Sequence, residues 1–284
     1  MVTGTRPGRA LAHRFVAGDT LGEAVKAAKE LNRDGFLVSL DLLGEEVHDR
    51  NSALSATDEY LQGLESIADE SLDANISVKP TQLGLAIDPA LAADAISRLA
   101  AKALGVGTTV TIDMEDSRYT GATVDLYEKA QREHGNLGIA IQAYMRRTHA
   151  DLERLVGMGG HVRLCKGAYV EPPDLALATK SDVNVAFAEH LRVLMASPTV
   201  RPAVATHDGS LVDLTLELAQ NRSEYFEFQM LYGVRTELQR DLVAAGHPLR
   251  VYLPFGSQWY PYLTRRLGER PANAWFFARS VFGR

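Results

Sequence analysis

Eight short runs rich in β-branched and aromatic residues recur along the chain, and between them the apolar residues change to a helical period. The runs are 35–43, 75–79, 108–114, 137–144, 161–167, 201–207, 225–231 and 249–256. Helical spacing stands out at 57–72, 88–104, 121–134 and 182–197, with "DP" and "SD" supplying starts. A strand that is apolar almost throughout needs cover on both faces, which a parallel sheet with crossover helices provides. Eight such units predict an α/β fold, a (β/α)8 TIM-like barrel, with a doubly wound open sheet as the alternative. No linker, low-complexity tract or repeat divides the chain. The expectation is one domain: a lead-in segment at 1–34 with one helix at 20–32, then the barrel at 35–284.

A barrel carries its site at the C-terminal strand ends, so polar residues should gather there. They do: Asp41 with Gly44 and Glu45 beyond it, Lys79, Asp113, Glu115, Gln142, Arg163, Lys166, Thr206, His207, Gln229 and Tyr252. Near the end of the chain stands "YPYLTRRLGE", 260–269. On a helix Tyr262, Arg265, Arg266 and Glu269 fall at i, i+3, i+4 and i+7, on one face. Taken alone, that face is either an ordinary solvated ion pair or a fork that holds an anion.

Several classes are disfavoured. A net charge of −6 over 284 residues argues against a nucleic-acid binder that works through a broad basic surface. The single cysteine allows no intrachain disulfide and suits a reducing compartment. No apolar run is long enough for a membrane span, and the start lacks a signal-peptide core. "GVGTTV" at 105–110 lacks the third glycine of a dinucleotide fingerprint and precedes a strand. "GMGG" at 157–160 fails in the same way, and no paired-Cys or "HExxH" spacing supports zinc. A metal site from Asp113, Glu115 and His207 is a weak reading, and none is expected. Cys165 reads as a small mid-strand core residue, not as a nucleophile.

In order along the chain stand "ISVKPTQLG", "TIDMEDS", "IAIQAY", "VRLCKGAY", "ATHD", "FEFQML", "VYLPFG" and "YLTRR", preceded by "RFVAGDT" at 14–20. Together they resemble proline dehydrogenase, from Arg14 to the C-terminus. The resemblance implies a distorted (β/α)8 barrel whose last helix lies over the mouth. It implies oxidation of L-proline to Δ1-pyrroline-5-carboxylate by hydride transfer from the ring C5 to FAD N5, with electrons passed to a quinone-type acceptor. On these residues it places Arg265, Arg266 and Lys79 at the proline carboxylate, Asp113 beside them in the catalytic set, and Leu231, Tyr252 and Tyr262 as the wall around the ring. It places Gln142, Arg163, Lys166, Gly167, Ala168, Thr206, His207 and Glu269 on FAD, with Cys165 contributing through its backbone. The chain resembles the monofunctional form, so a separate pyrroline-5-carboxylate dehydrogenase would take the product. A cytoplasmic location with transient contact at the inner membrane follows from a membrane quinone.

The residues alone also permit a flavin-free barrel lyase or aldolase with Lys79 or Lys166 as Schiff base. A non-catalytic anion-binding barrel built on the arginine pair is the third reading.

Overall fold

A computed structural model describes residues 14–259 and Tyr262. Eight parallel strands close in chain order, from β1 against β2 round to β8 against β1. They are β1 (Leu37–Leu42), β2 (Ala74–Val78), β3 (Val110–Ile112), β4 (Leu137–Gln142), β5 (His161–Cys165), β6 (Arg201–Ala205), β7 (Glu227–Leu231) and β8 (Leu249–Phe255). Helix α1 (Leu21–Arg33) precedes the first strand. After β1 to β7 come α2 (Arg50–Asp69), α3 (Pro89–Gly105), α4 (Ser117–His134), α5 (Thr148–Val156), α6 (Lys180–Ala196), α7 (Gly209–Ala219) and α8 (Thr236–Ala244). The closed barrel is the predicted fold, and the open sheet is excluded.

Side chains alternate between the two faces of each strand. Val38, Leu40, Ile76, Val78, Ile112, Val162, Leu164, Phe228 and Val251 belong to the apolar core shared with Tyr60, Leu64, Leu99, Tyr127 and Phe187 of the helices. The intervening residues are polar: Ser39, Asp41, Asn75, Ser77, Thr111, Arg163, Glu227 and Gln229 are all buried. This barrel is therefore packed with oil outside its sheet and with a hydrogen-bonded polar column inside it. Helix α1 belongs to the same body, because Ala24 and Ala28 sit in that core.

Helix starts at the barrel mouth are fixed by capping. Asp49, Asp88, Asp116, Thr179 and Asp208 each accept from a backbone N–H in the first turn of α2, α3, α4, α6 and α7. The cap at Asp49 starts α2 at Arg50, ahead of the apolar spacing that begins at 57. Strand β3 is shorter than the run that marked it, and Cys165 is not mid-strand: it closes β5 and is half-buried.

Candidate active site

At the C-terminal ends of the strands lies a cavity of about 530 Å³. Every strand contributes. Asp41 comes from β1, Lys79 from just past β2, Asp113 from just past β3, Gln142 from β4, and Cys165 with Lys166, Gly167 and Ala168 from the end of β5. Thr206 and His207 follow β6, Gln229 and Leu231 lie on β7, and Tyr252 lies on β8. Tyr262 is buried and lines the same cavity, with Phe15 and Val234. Arg265, Arg266 and Glu269 lie outside the described residues, as does the rest of the segment expected over the mouth.

The inner wall of the cavity is charged, and its charges are paired. Lys79 Nζ donates to Asp41 Oδ1, stands 3.3 Å from the Tyr252 hydroxyl and 3.5 Å from Asp113 Oδ2. Asp113 Oδ1 accepts from Arg163 Nη1 at 2.5 Å and from Ser77 Oγ at 2.7 Å, and its Oδ2 accepts from Tyr252 at 2.7 Å. Arg163 also donates from Nε to Gln229 Oε1 at 2.5 Å and lies over the Tyr252 ring, 5.2 Å from its centre. Two cations and two carboxylates, all buried, thus cancel one another. Isolated buried charges would be very costly; paired and hydrogen-bonded ones persist.

The two carboxylates differ. Burial pushes both up, but Asp113 faces Arg163 and Lys79 and accepts from Tyr252 and Ser77, so it ends below the usual range. Asp41 shares one lysine, faces the negative Asp113, and stays above it. Burial lowers Lys79, but Asp41, Tyr252 and Asp113 together hold it charged. Arg163 was read as a flavin contact. The structure commits it first to Asp113, Gln229 and Ser77, with Nη2 lacking a partner among the described residues.

A second group shapes the loops. Gln142 donates to the Glu115 carbonyl at 2.8 Å and accepts from the Ala168 N–H at 3.1 Å, tying the turns after β3 and β5. Glu115 accepts from Thr81 N at 2.8 Å and Thr81 Oγ1 at 2.5 Å, which fixes the turn that carries Lys79. Burial pushes Glu115 up to about 7. Gly167 has φ +133°, and a Cβ there would overlap the Tyr144 ring, so the backbone approaches that ring as only glycine allows. Lys166 pairs with Asp208 at 2.7 Å and Asn184 at 2.6 Å. His207 Nε2 accepts from Leu231 N at 3.0 Å, which puts the ring proton on Nδ1. Among the described residues no group of three His, Cys, Asp or Glu stands close enough to hold a metal ion.

All thirteen of the sequence-assigned residues that the structure describes fall on this cavity: none was sent elsewhere by the fold. Asp41 and Gln229 were noticed as strand-end polar residues and given no role, and Glu115 was given only a weak metal reading. Asp41 is the closest partner of Lys79, and Gln229 extends the column inward to Glu227 at 2.6 Å, which Arg250 meets at 2.7 Å. The signal was available: in "LVSLDL", "ANISVKP" and "EFQML" the polar residues stand two apart, on the inward face.

A family model described as proline dehydrogenase matches residues 24–279. The chain is 38% identical over 281 residues to proline dehydrogenase 1 of Bacillus subtilis subsp. natto, an alignment covering 98% of this chain and 92% of that one. It is 33% identical over 283 residues to proline dehydrogenase of Deinococcus radiodurans, covering 95% and 90% of the two chains. Among solved structures, proline utilization A of Bdellovibrio bacteriovorus, inactivated by N-propargylglycine, matches with TM-score 0.87 and 23% identity over 97% of this chain and 34% of that one. At that identity the likeness speaks to the fold.

Proposed function

The chain belongs to the proline dehydrogenase family, and from that premise we propose that it oxidises L-proline to Δ1-pyrroline-5-carboxylate, the first step of proline catabolism, with FAD as cofactor. The observation that carries this reading is the mouth cavity, where paired cations and carboxylates meet an apolar wall of Leu231, Tyr252 and Tyr262.

The residues present suit a flavin. Arg163 keeps an unpartnered donor at Nη2 among the described residues, Gly167 brings bare backbone to the cavity, and Gln142 presets the Ala168 turn. Gln142, Arg163, Cys165, Lys166, Gly167, Ala168, Thr206, His207 and Glu269 would hold it. When bound, FAD supplies at N5 the hydride acceptor for the ring C5, and a quinone-type acceptor then takes the electrons. The protein binds and orients. Arg265, Arg266 and Lys79 pair with the proline carboxylate, because planar guanidinium forks match a carboxylate and a desolvated anion needs a partner. Tyr252 and Leu231 confine the ring, and Asp113 holds Arg163, Tyr252 and Lys79 in register. Confinement at the barrel mouth keeps bulk water from the imine product, which a separate pyrroline-5-carboxylate dehydrogenase consumes.

A cytoplasmic protein that touches the membrane transiently fits a quinone acceptor; no described helix is long and apolar enough to cross a membrane. The Schiff-base alternative fares worse: Lys166 is tied to Asp208 at 2.7 Å and to Asn184 at 2.6 Å. A nucleophilic lysine must be neutral, and Asp41, Tyr252 and Asp113 keep Lys79 charged.

The test is an anaerobic absorbance scan of purified protein. Flavin absorbance that bleaches on adding L-proline, without any dependence on NAD, is the expected result. A colourless protein that FAD cannot reconstitute rejects the proposal.

A further inference from the structure

Proline in neutral water is a zwitterion, and its secondary ammonium must lose a proton before nitrogen electrons can assist loss of hydride from the adjacent carbon. Resting on the proposed proline oxidation, we propose that Asp41 is the store for that proton, reached through Lys79.

The geometry comes from three observations. Asp41 lines the cavity yet is 1% exposed, so substrate meets it through a neighbour and not directly. Its Oδ1 accepts from Lys79 Nζ, and Lys79 lines the cavity, as Arg163 and Lys166 also do. Its Oδ2 is buried and has no hydrogen-bond partner among the described residues. An ionised carboxylate with one bare buried oxygen is poorly satisfied, whereas a neutral acid leaves only a carbonyl there, which costs much less. The contrast with Asp113 is direct: both Asp113 oxygens are committed, to Arg163, Ser77 and Tyr252.

The charged and titratable groups facing Asp41 are Lys79 after β2, Asp113 after β3, Tyr252 on β8 and Tyr60 on α2. Burial and Asp113 oppose the anion, while Lys79 and, more weakly, the Tyr252 hydroxyl favour it; burial is the largest of these effects. A substrate carboxylate arriving beside Lys79 adds a second negative neighbour and draws on the same cation. Both effects raise the proton affinity of Asp41 at the moment a proton must be placed.

The step balances. The substrate N–H bond breaks and its proton passes to the Lys79 nitrogen as Lys79 passes one of its own to Asp41 Oδ1. The amine goes from +1 to neutral, Asp41 from −1 to neutral, and Lys79 remains an ammonium beside the substrate carboxylate. No electrons move and no proton is exchanged with solvent. Asp41 acts here through Lys79, as a positioning and proton-storing residue.

The ring-oxygen analogue of proline, oxolane-2-carboxylate, carries the carboxylate but no amine proton. Its binding to the flavin-loaded protein must therefore draw Asp41's proton from the buffer. Calorimetric titration at neutral pH, in two buffers of different ionisation enthalpy, counts that proton. About one proton taken up by the parent, about none by Asp41→Asn, and restored uptake in Asp41→Glu is the expected pattern. Activity supplies a second readout. Parent kcat/KM for proline should be nearly flat across neutral pH, because the proton is transferred internally. In Asp41→Asn the amine must arrive already neutral, so kcat/KM should rise about tenfold per pH unit. Analogue binding with no proton uptake by the parent overturns the proposal while leaving proline oxidation standing. Equal uptake in parent and Asp41→Asn overturns it too. Failure of the analogue to bind at all removes the proline reading and this proposal together. If Asp41→Asn does not fold, the parent's proton count and Asp41→Glu decide.

Discussion

At the scale of single residues, the buried Asp113–Arg163 pair decides most. A guanidinium at 2.5 Å from a carboxylate, with Arg163 3% and Asp113 9% exposed, cannot be removed from one side only. Arg163→Met should cost about 3 kcal/mol, because breaking a buried pair leaves a charge without its counterpart. Asp113→Asn together with Arg163→Met should cost clearly less than the sum of the two, which urea unfolding of the three variants measures. Simple additivity would show the pair to be uncoupled. The substrate carboxylate obeys the same rule. Arg266→Met should weaken proline binding at least roughly 30-fold, since losing one partner of a desolvated pair costs about 2–5 kcal/mol. Binding of pyrrolidine, which lacks the carboxylate, should be unchanged. Proline affinity within threefold of the parent, read by flavin-absorbance titration, would return Arg266 to a solvated surface.

At the scale of elements, alternation explains both what was legible in the sequence and what was not. The outward half of the strands is mostly Val, Ile, Leu or Phe, with Ala74, Pro202 and Met230 among them, and those residues announce eight strands. The inward half is largely polar, and it was read as a ring at the strand ends when it also runs inward beneath them, from Asp113 through Arg163, Gln229 and Glu227 to Arg250. Hence Arg163 was legible as a site residue but not as a partner of Asp113: its ion pair spans 50 residues of sequence, which no local pattern encodes. Helix starts were missed where a capping aspartate, and not apolar spacing, sets the boundary, as at Asp49. The resemblance to a family, not the residues one at a time, is what favours an arginine fork over a surface ion pair at 265 and 266, which lie outside the described residues. Close approach between neighbouring strands is equally silent. Gly138 on β4 pairs with His161 on β5, and a Cβ at Gly138 would overlap the His161 ring. Gly138→Ala should therefore displace the ring from Thr111, to which it bonds at 2.6 Å, at a cost of about 1–3 kcal/mol. His161→Ala should absorb most of that loss, and a denaturant series showing equal costs with and without the ring would reject the clash.

At the scale of the whole molecule, buried Glu115 and half-buried His161, at opposite ends of the barrel, set opposing pH dependences. Glu115, at the mouth, is raised from 4.5 to about 7, chiefly by burial. The folded state then keeps a proton that the unfolded chain gives up, so its contribution is present below pH 4.5 and is lost as pH rises to about 7. His161, at the start of β5, is lowered from 6.5 to about 3, again chiefly by burial, with Arg250, Arg163 and Arg201 adding to the effect against Glu227. Its contribution is present above 6.5 and is lost as pH falls towards 3. Between 4.5 and 6.5 the two slopes oppose each other, at about 1.4 kcal/mol per pH unit each, and cancel. Each single variant should unmask the other. Relative to the parent, Glu115→Gln should gain stability with rising pH across this window, because Gln still accepts from Thr81 but has no proton to lose. His161→Gln should lose stability with rising pH at a similar slope. The double variant should return to the parent's slope, since the two sites share no hydrogen-bond partner and should add independently. Urea midpoints of all four proteins at pH 4.5, 5.5 and 6.5 provide the measurement. Parallel curves for parent and single variants would mean that neither group changes its proton on unfolding.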